Sequence, residues 1–336
     1  MSSRRVSTLQ DVADLAGVSR GTASRALTGE GRVSEETRSR VRQAAASLSY
    51  AINRGARNLR QARAGSIGLW MPGGMNFMDY YMNFAAGVVD STTDKELTVS
   101  LVPADFPAGK ARSLHVDGFV MADVVDGDEL ARAILETGRP VVVSELVPPG
   151  MPEPTATVAG DHQSAMDTLL DRLRLGGATS IALVRPPVSQ TWVRIPAEAA
   201  TAWATTHGLP LTFVDLTGVP SAEDLHHIVQ QLRSIRPKVD AIVCLPQGLS
   251  VGILSTLREF GFSVPDDIQL VSYSDSPTLQ IVQPPISALD LRAKDAGRRA
   301  GDLLIEIIEA GGTAEQTVET FDLIYRERAS TCAVRM

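Results

Sequence analysis

Apolar positions in residues 8–27 recur at helical spacing, stop, and start again. Leu9, Val12, Leu15 and Ala16 carry the i, i+3, i+4 rhythm of one buried helix face. Thr8 precedes them as an oxygen-bearing cap, with Asp11 at the third helical position. Gly17 supplies the backbone freedom that ends this helix sharply, Val18 anchors the turn, and Ser19 caps a second helix. On that second helix Ala23, Ala26 and Leu27 share one face, while Arg20, Gly21, Ser24 and Arg25 share another. Ser34 caps a third helix, with Glu35 and Glu36 in its first turn and an apolar stripe of Val41, Ala44, Ala45 and Leu48.

Past residue 65 the rhythm changes. Apolar, β-branched-rich runs at 66–71, 98–102, 118–121, 140–144, 157–159, 180–184, 211–215, 241–245 and 269–273 predict strands. Helical patterns, such as 163–175 and 248–259, separate most of them. Such alternation predicts parallel sheets covered by helices on both faces, and about 270 residues suffice for two α/β lobes.

Charge divides the chain at the same place. Residues 1–64 hold twelve Arg, no Lys and five acidic residues, a net +7, and the remaining 272 hold twenty basic and thirty-four acidic residues, a net −14. A basic head of about sixty residues on an acidic body is the electrostatic footprint expected of phosphate binding. An inner face of small apolar groups lets the helices pack closely. An outer face of two Arg and a hydroxyl suits a DNA major groove. The plain alternative is a helical hairpin with a solvated basic face.

The segments Asp11-Val12-Ala13, Leu15-Ala16-Gly17-Val18-Ser19, Thr22, Ser24-Arg25, Val33-Ser34-Glu35-Glu36-Thr37-Arg38, Tyr50 and Asn53-Arg54 resemble the headpiece of the lactose-repressor (LacI/GalR) family of bacterial transcription regulators. One departure is Ala23, where the family usually has Val. The resemblance implies base readout by Arg20, Gly21 and Arg25, and phosphate contacts from Thr8, Ser19, Thr22, Ser24, Arg32, Ser34, Thr37 and Asn53. Residues 53–60 match the family's hinge helix, in which Ala56, Arg57, Leu59 and Arg60 would meet the minor groove and Leu59 would act as the wedge. Eight residues with a Gly are too few to hold a helix in water, so without the resemblance they read as a flexible basic linker.

The matches continue through Val264-Pro265-Asp266-Asp267-Ile268, Gln283-Pro284-Pro285-Ile286-Ser287 and Tyr325-Arg326-Glu327-Arg328. They imply the family's periplasmic-binding-protein-like core, crossed three times by the chain, with an effector in the cleft. The expected organisation is an all-α helix-turn-helix headpiece over 1–52, a hinge over 53–64, and an α/β core of two parallel-sheet lobes over 65–336. Only eight residues follow Arg328, without a heptad pattern, so no tetramer-forming tail is expected.

The cleft positions match less well. Asp161 fits the family's sugar-binding Asp, and Arg194 its Arg, but Ala197-Glu198 stands where a Gly-aromatic pair is usual. Pro246-Gln247 replaces an Asn-Asp pair, Ser274-Asp275 an Asp-Asp pair, and Met78-Asp79-Tyr80-Tyr81 an Asn-Pro-Phe-Phe segment. Tyr80, Asp161, Arg194, Gln247 and Asp275 are the resulting effector candidates. Lost polar anchors argue against an ordinary free sugar. A less hydroxylated, a phosphorylated or an aromatic ligand, or no ligand at all, stays open.

Other chemistry is thin. Gly248-Leu249-Ser250-Val251-Gly252 fits a nucleophile elbow, but all five His precede Ser250, which forbids the hydrolase order of Ser, acid, His. His226 and His227 are adjacent and lack a third ligand at metal spacing. Cys244 and Cys332 read as free thiols in a reducing compartment. No apolar run approaches ~20 residues, so neither export nor spanning is expected. These features exclude a periplasmic solute-binding protein and an enzyme as the leading reading. They favour a cytoplasmic, homodimeric repressor that binds double-stranded operator DNA, with a small-molecule effector and no cofactor, metal or membrane partner.

Overall fold

The computed structural model describes residues 7–29, 31–50, 63–73, 78–95, 97–186, 191–218, 220–312 and 315–332. The chain divides into two compact units, Met1–Ala64 and Gly65–Met336.

In the first unit, α1 (Leu9–Ala16), α2 (Arg20–Thr28) and α3 (Glu35–Ser47) form where the periodicity predicts them. The ends of α1 are fixed by short-range chemistry. Thr8 and Asp11 make a reciprocal capping box, and Gly17 ends the helix at φ 64°, a left-handed conformation without penalty for Gly. Val12, Ala13, Ala16, Ala23, Ala26, Val41, Ala44 and Ala45 form the buried core. So many alanines let the three helices approach closely. Leu15 departs from expectation and is exposed. The buried face of α1 runs through positions 9, 12, 13 and 16, and residue 15 falls beside it.

The second unit is two α/β lobes, each with a six-stranded sheet. Lobe one orders its strands β11-β5-β4-β3-β1-β2, from β1 (Ser66–Trp70), β2 (Thr98–Val102), β3 (Phe119–Ala122), β4 (Val141–Ser144), β5 (Ala156–Gly160) and β11 (Thr317–Phe321). Lobe two orders β12-β10-β9-β8-β6-β7, from β6 (Ile181–Arg185), β7 (Leu211–Asp215), β8 (Ala241–Cys244), β9 (Gln269–Ser272), β10 (Ser287–Asp290) and β12 (Ile324–Arg326). All pairings are parallel except β10 with β12. Inner strands such as β1, β3, β4 and β8 are buried along their whole length, as expected of sheets covered on both faces.

Helices α4 (Met78–Thr92) and α11 (Ala293–Glu309) cover one face of sheet one, and α5 (Glu129–Leu135) helps cover the other. A Cβ on Gly87 would meet the Lys294 carbonyl, and one on Gly297 would meet the Phe84 carbonyl. Backbone therefore packs on backbone where α4 crosses α11. In lobe two, α6 (His162–Leu175) and α7 (Thr191–His207) cover one face, and α8 (Ala222–Ser234), α9 (Leu249–Glu259) and α10 (Pro277–Ile281) the other.

The chain passes between lobes after β5, after β10 and after β11, as the family resemblance implies. The three crossings are tied together. Asp161 N donates to the Phe321 carbonyl at 2.9 Å, and Arg292 Nη1 donates to the Asp322 carbonyl at 3.3 Å. Arg292 itself sits at φ 50°.

Candidate functional site

The headpiece presents α2 with Arg20, Gly21 and Arg25 exposed and Ser24 half-buried. Arg25 Nε donates to the Gly21 carbonyl one turn back at 3.3 Å, which aligns its side chain along the helix. The predicted phosphate set gathers at helix starts. Thr8 caps α1, Ser19 Oγ accepts from Thr22 N at 3.1 Å, and Ser34 Oγ accepts from Thr37 N at 3.3 Å. Free amide ends and aligned dipoles at a helix start favour anions in general. Arg32 is exposed between α2 and α3. Asn53, Ala56, Arg57, Leu59 and Arg60 lie outside the described residues.

Between the lobes lies a cavity of about 80 Å³. It opens at the carboxyl ends of the strands, where ligands collect in parallel α/β sheets. From lobe one come Tyr80 and Tyr81, at the start of α4, with Asp123 and Glu145, each directly after its strand. Both acids hold positive φ, at 44° and 70°. From lobe two come His162, Trp192, Gln247 and Tyr273.

Hydrogen bonds bridge the lobes through this lining. His162 contacts Glu145 Oε2 through Nε2 at 2.9 Å and the Tyr273 hydroxyl through Nδ1 at 2.7 Å. The Glu145, His162 and Tyr273 side chains are all buried. Glu145 also accepts from Gly160 N at 3.2 Å. Burial opposes charge on His162, but the Glu145, Asp123 and Asp161 carboxylates together outweigh it and raise the imidazole's pKa. Gln247 accepts from Tyr80 N at 3.4 Å and donates to the Asp275 carbonyl at 3.3 Å. Tyr81 donates its hydroxyl to Asp123 Oδ2 at 2.9 Å, and the two tyrosine rings meet edge to face with centroids 5.4 Å apart. Burial, then the neighbouring Glu145 charge, push the Asp123 carboxyl up to about 7.

Of the five effector candidates, the structure brings Tyr80 and Gln247 into this cavity. The other three are engaged elsewhere. Asp161 caps α6, accepting from Ser164 N, and these hydrogen bonds hold its carboxyl below the usual range. Arg194 pairs with Glu198 one turn on, at 3.1 Å. Asp275 is held bidentately by Arg328, at 2.9 and 2.6 Å, with both side chains mostly buried.

Asp123, Glu145, His162 and Trp192 did not emerge from the sequence patterns. One signal was present: a polar residue follows each apolar run at 122, 144 and 160. Ser250, the candidate nucleophile of the elbow pattern, is buried on α9, and its Oγ has no hydrogen-bond partner. Among the described residues no cluster of three or more His, Cys, Asp or Glu could hold a metal, and no helix is long and apolar enough to cross a membrane.

Comparison with known proteins agrees with this architecture. Residues 170–331 match the periplasmic binding protein-like domain. The chain is 28% identical over 298 residues to catabolite control protein A of Staphylococcus epidermidis, covering 86% of this chain and 89% of that one. It is 27% identical over 326 residues to the ribose operon repressor of Bacillus subtilis, covering 94% and 95%. Its fold follows that of the Lac repressor dimer bound to operator and the anti-inducer ONPF, with TM-score 0.78, 20% identity and coverage of 98% and 100%. It also follows the regulator CelR in complex with cellobiose, with TM-score 0.71, 24% identity and coverage of 96% and 99%. Residues 8–53, which hold α1, α2 and α3, match the model for bacterial regulatory proteins of the lacI family, so the chain resembles that family in both of its parts.

Proposed function

We propose that this protein is a cytoplasmic transcriptional repressor that binds a palindromic operator as a homodimer and answers to a small molecule in the inter-lobe cleft. The observation that carries this reading is the exposed face of α2, Arg20-Gly21-Ser24-Arg25, on a headpiece of net charge +7. Base readout falls to Arg20 and Arg25, because Gly21 offers no side chain. Phosphate contacts come from Thr8, Ser19, Thr22, Ser24, Arg32, Ser34, Thr37 and Asn53, with Ala56, Arg57, Leu59 and Arg60 at the minor groove. An edge strand and a helix favour the dimer: Leu101 on β2 and Met82 and Val89 on α4 are exposed apolar side chains of lobe one. Where such side chains join in one patch, a second copy of the chain can cover them.

The reading assigns regulation, not catalysis, to the cleft, and an ordinary free sugar fits it poorly. Arg194 and Asp275 already have partners, which takes one donor and one acceptor away from any sugar hydroxyls.

Selection of binding sites from random DNA tests the proposal. Arg pairs bidentately with guanine O6 and N7, worth about 1–3 kcal/mol per base. Selected half-sites should therefore carry guanines at two positions, and Arg25→Ala should relax one of them while binding keeps its salt dependence. Half-sites without a guanine that depends on Arg20 or Arg25 would refute the readout.

A further inference from the structure

The cleft is unevenly supplied with hydrogen-bonding groups. Its two carboxylates, Asp123 and Glu145, are accompanied by no Lys or Arg in the lining. Glu145 is satisfied by His162 and by Gly160 N. Asp123 has one side-chain hydrogen bond, from the neutral hydroxyl of Tyr81. Facing it are Tyr80 and Tyr81 from α4, Glu145 from the end of β4, and His162 from the start of α6. His162, the one base in this set among the described residues, spends its Nε2 on Glu145 and is not free to answer Asp123.

A carboxylate in a confined, ring-walled cavity is costly unless a cation meets it. Several of the donors nearby are also in use. Both His162 nitrogens are hydrogen-bonded within the protein, to Glu145 and to the Tyr273 hydroxyl, and the Tyr81 hydroxyl and the Gln247 amide donate to protein acceptors. A sugar hydroxyl brings lone pairs that need donors, whereas an ammonium brings donors or bare charge and no acceptor. Tyrosine and tryptophan faces add cation–π attraction. An anionic or phosphorylated ligand would meet two acids and no Lys or Arg among the described lining residues. The volume, about 80 Å³, holds a handful of waters, so the ligand is compact unless the lobes part.

We propose that the effector of this chain is a small organic cation, an amine or quaternary ammonium with a compact apolar body, whose charge rests against Asp123 beside Tyr81. The proposal depends on the effector role given to the cleft above. Burial and Glu145 push the Asp123 carboxyl up to about 7, so the free protein holds a proton there over part of the neutral range. The incoming cation takes the place of that proton, which leaves to solvent, so carboxylic acid plus cation becomes an ion pair plus a released proton.

The test is calorimetric titration of the full chain with matched pairs that differ in charge: choline against 3,3-dimethylbutan-1-ol, glucosamine against glucose, and butylamine against butanol. At least one cation should bind about tenfold or more tighter than its neutral partner. Its binding should release protons at pH 7, read by repeating the titration in buffers of different ionisation heat. Asp123→Asn should abolish the preference while the melting temperature is retained. Proton release is measured on the unmodified protein and so stands if that variant does not fold. Equal or tighter binding of the neutral partners overturns the proposal, as does a preference that survives Asp123→Asn. Operator affinity measured on the same samples separates the two readings. A neutral ligand that shifts it overturns the cation and keeps the effector cleft. Intact operator binding with no response or binding by any probe overturns both.

Discussion

The headpiece and the cleft are built on opposite plans. In the headpiece the bonds that set geometry are local: Thr8 with Asp11, Ser19 with Thr22 and Ser34 with Thr37 each span three residues. In the cleft, Tyr80 meets Gln247 across 167 positions, His162 meets Tyr273 across 111, and Tyr81 meets Asp123 across 42. The packing differs too. Small alanines let headpiece helices approach with little to interlock. The core unit is fitted more tightly, with backbone against backbone where α4 crosses α11. A surface made from local bonds tolerates change at one position. A site assembled from distant strand ends inherits every adjustment of the framework.

Glycine substitution is the sharpest way to break this comparison. Gly297→Ala drives a methyl into the Phe84 carbonyl, so α4 and α11 must separate along their length. Overpacking against backbone should cost about 3 kcal/mol or more, read as a lowered urea midpoint of the core transition. A midpoint unchanged would mean the helices slide apart freely. A smaller loss, about 3 kcal/mol, should follow Asp275→Ala, which leaves the mostly buried Arg328 guanidinium without its carboxylate. This variant also separates two roles for Asp275. A nearly unchanged stability with a lost ligand response would return it to the effector site. The smallest effect belongs to the headpiece. A Cβ on Gly21 finds only Ser19 Oγ, at 3.9 Å, so Gly21→Ala fits the exposed helix. It should gain about 0.5–1 kcal/mol of local helix stability, seen as slower amide exchange along α2. Faster exchange there would show that Gly21 serves the backbone, and would weaken the contrast.

What the sequence disclosed follows the same division. Periodicity and caps located α1, α2 and α3, because their determinants lie within a few residues. Nine runs of apolar residues became β1 to β9; most are buried on both faces, with no polar position to blur them, and the half-exposed β2 and β7 still read as β-branched runs. β10, β11 and β12 escaped. β11 is an edge strand with Thr317, Val318 and Thr320 exposed, β12 spans three residues, and β10 is Ser-Ala-Leu-Asp, with a single large apolar side chain. Asp161 illustrates the limit at the site. An Asp at a strand-to-helix junction reads equally as a ligand or as a helix cap, and here it caps α6. Arg194 has a carboxylate one turn away, a helix-surface pair as plain in the sequence as a ligand role. Asp123 and Glu145 carried only the weak mark of being first after an apolar run. Their meeting depends on β3 and β4 lying side by side, which no local pattern states.

Lobe one, begun first on the ribosome, is completed only after nearly all of lobe two. Its core takes Ala296, Ala300, Leu303, Leu304 and Ile307 from α11, and its sheet takes β11 from residues 317–321. Lobe two runs almost unbroken from residue 161 to 290 and waits only for three residues of β12. A growing chain therefore carries the exposed apolar face of β1, β3 and β4 through the whole synthesis of the other lobe. During that interval the nascent protein depends on chaperone cover, not on its own fold, to stay apart from its neighbours on the polysome.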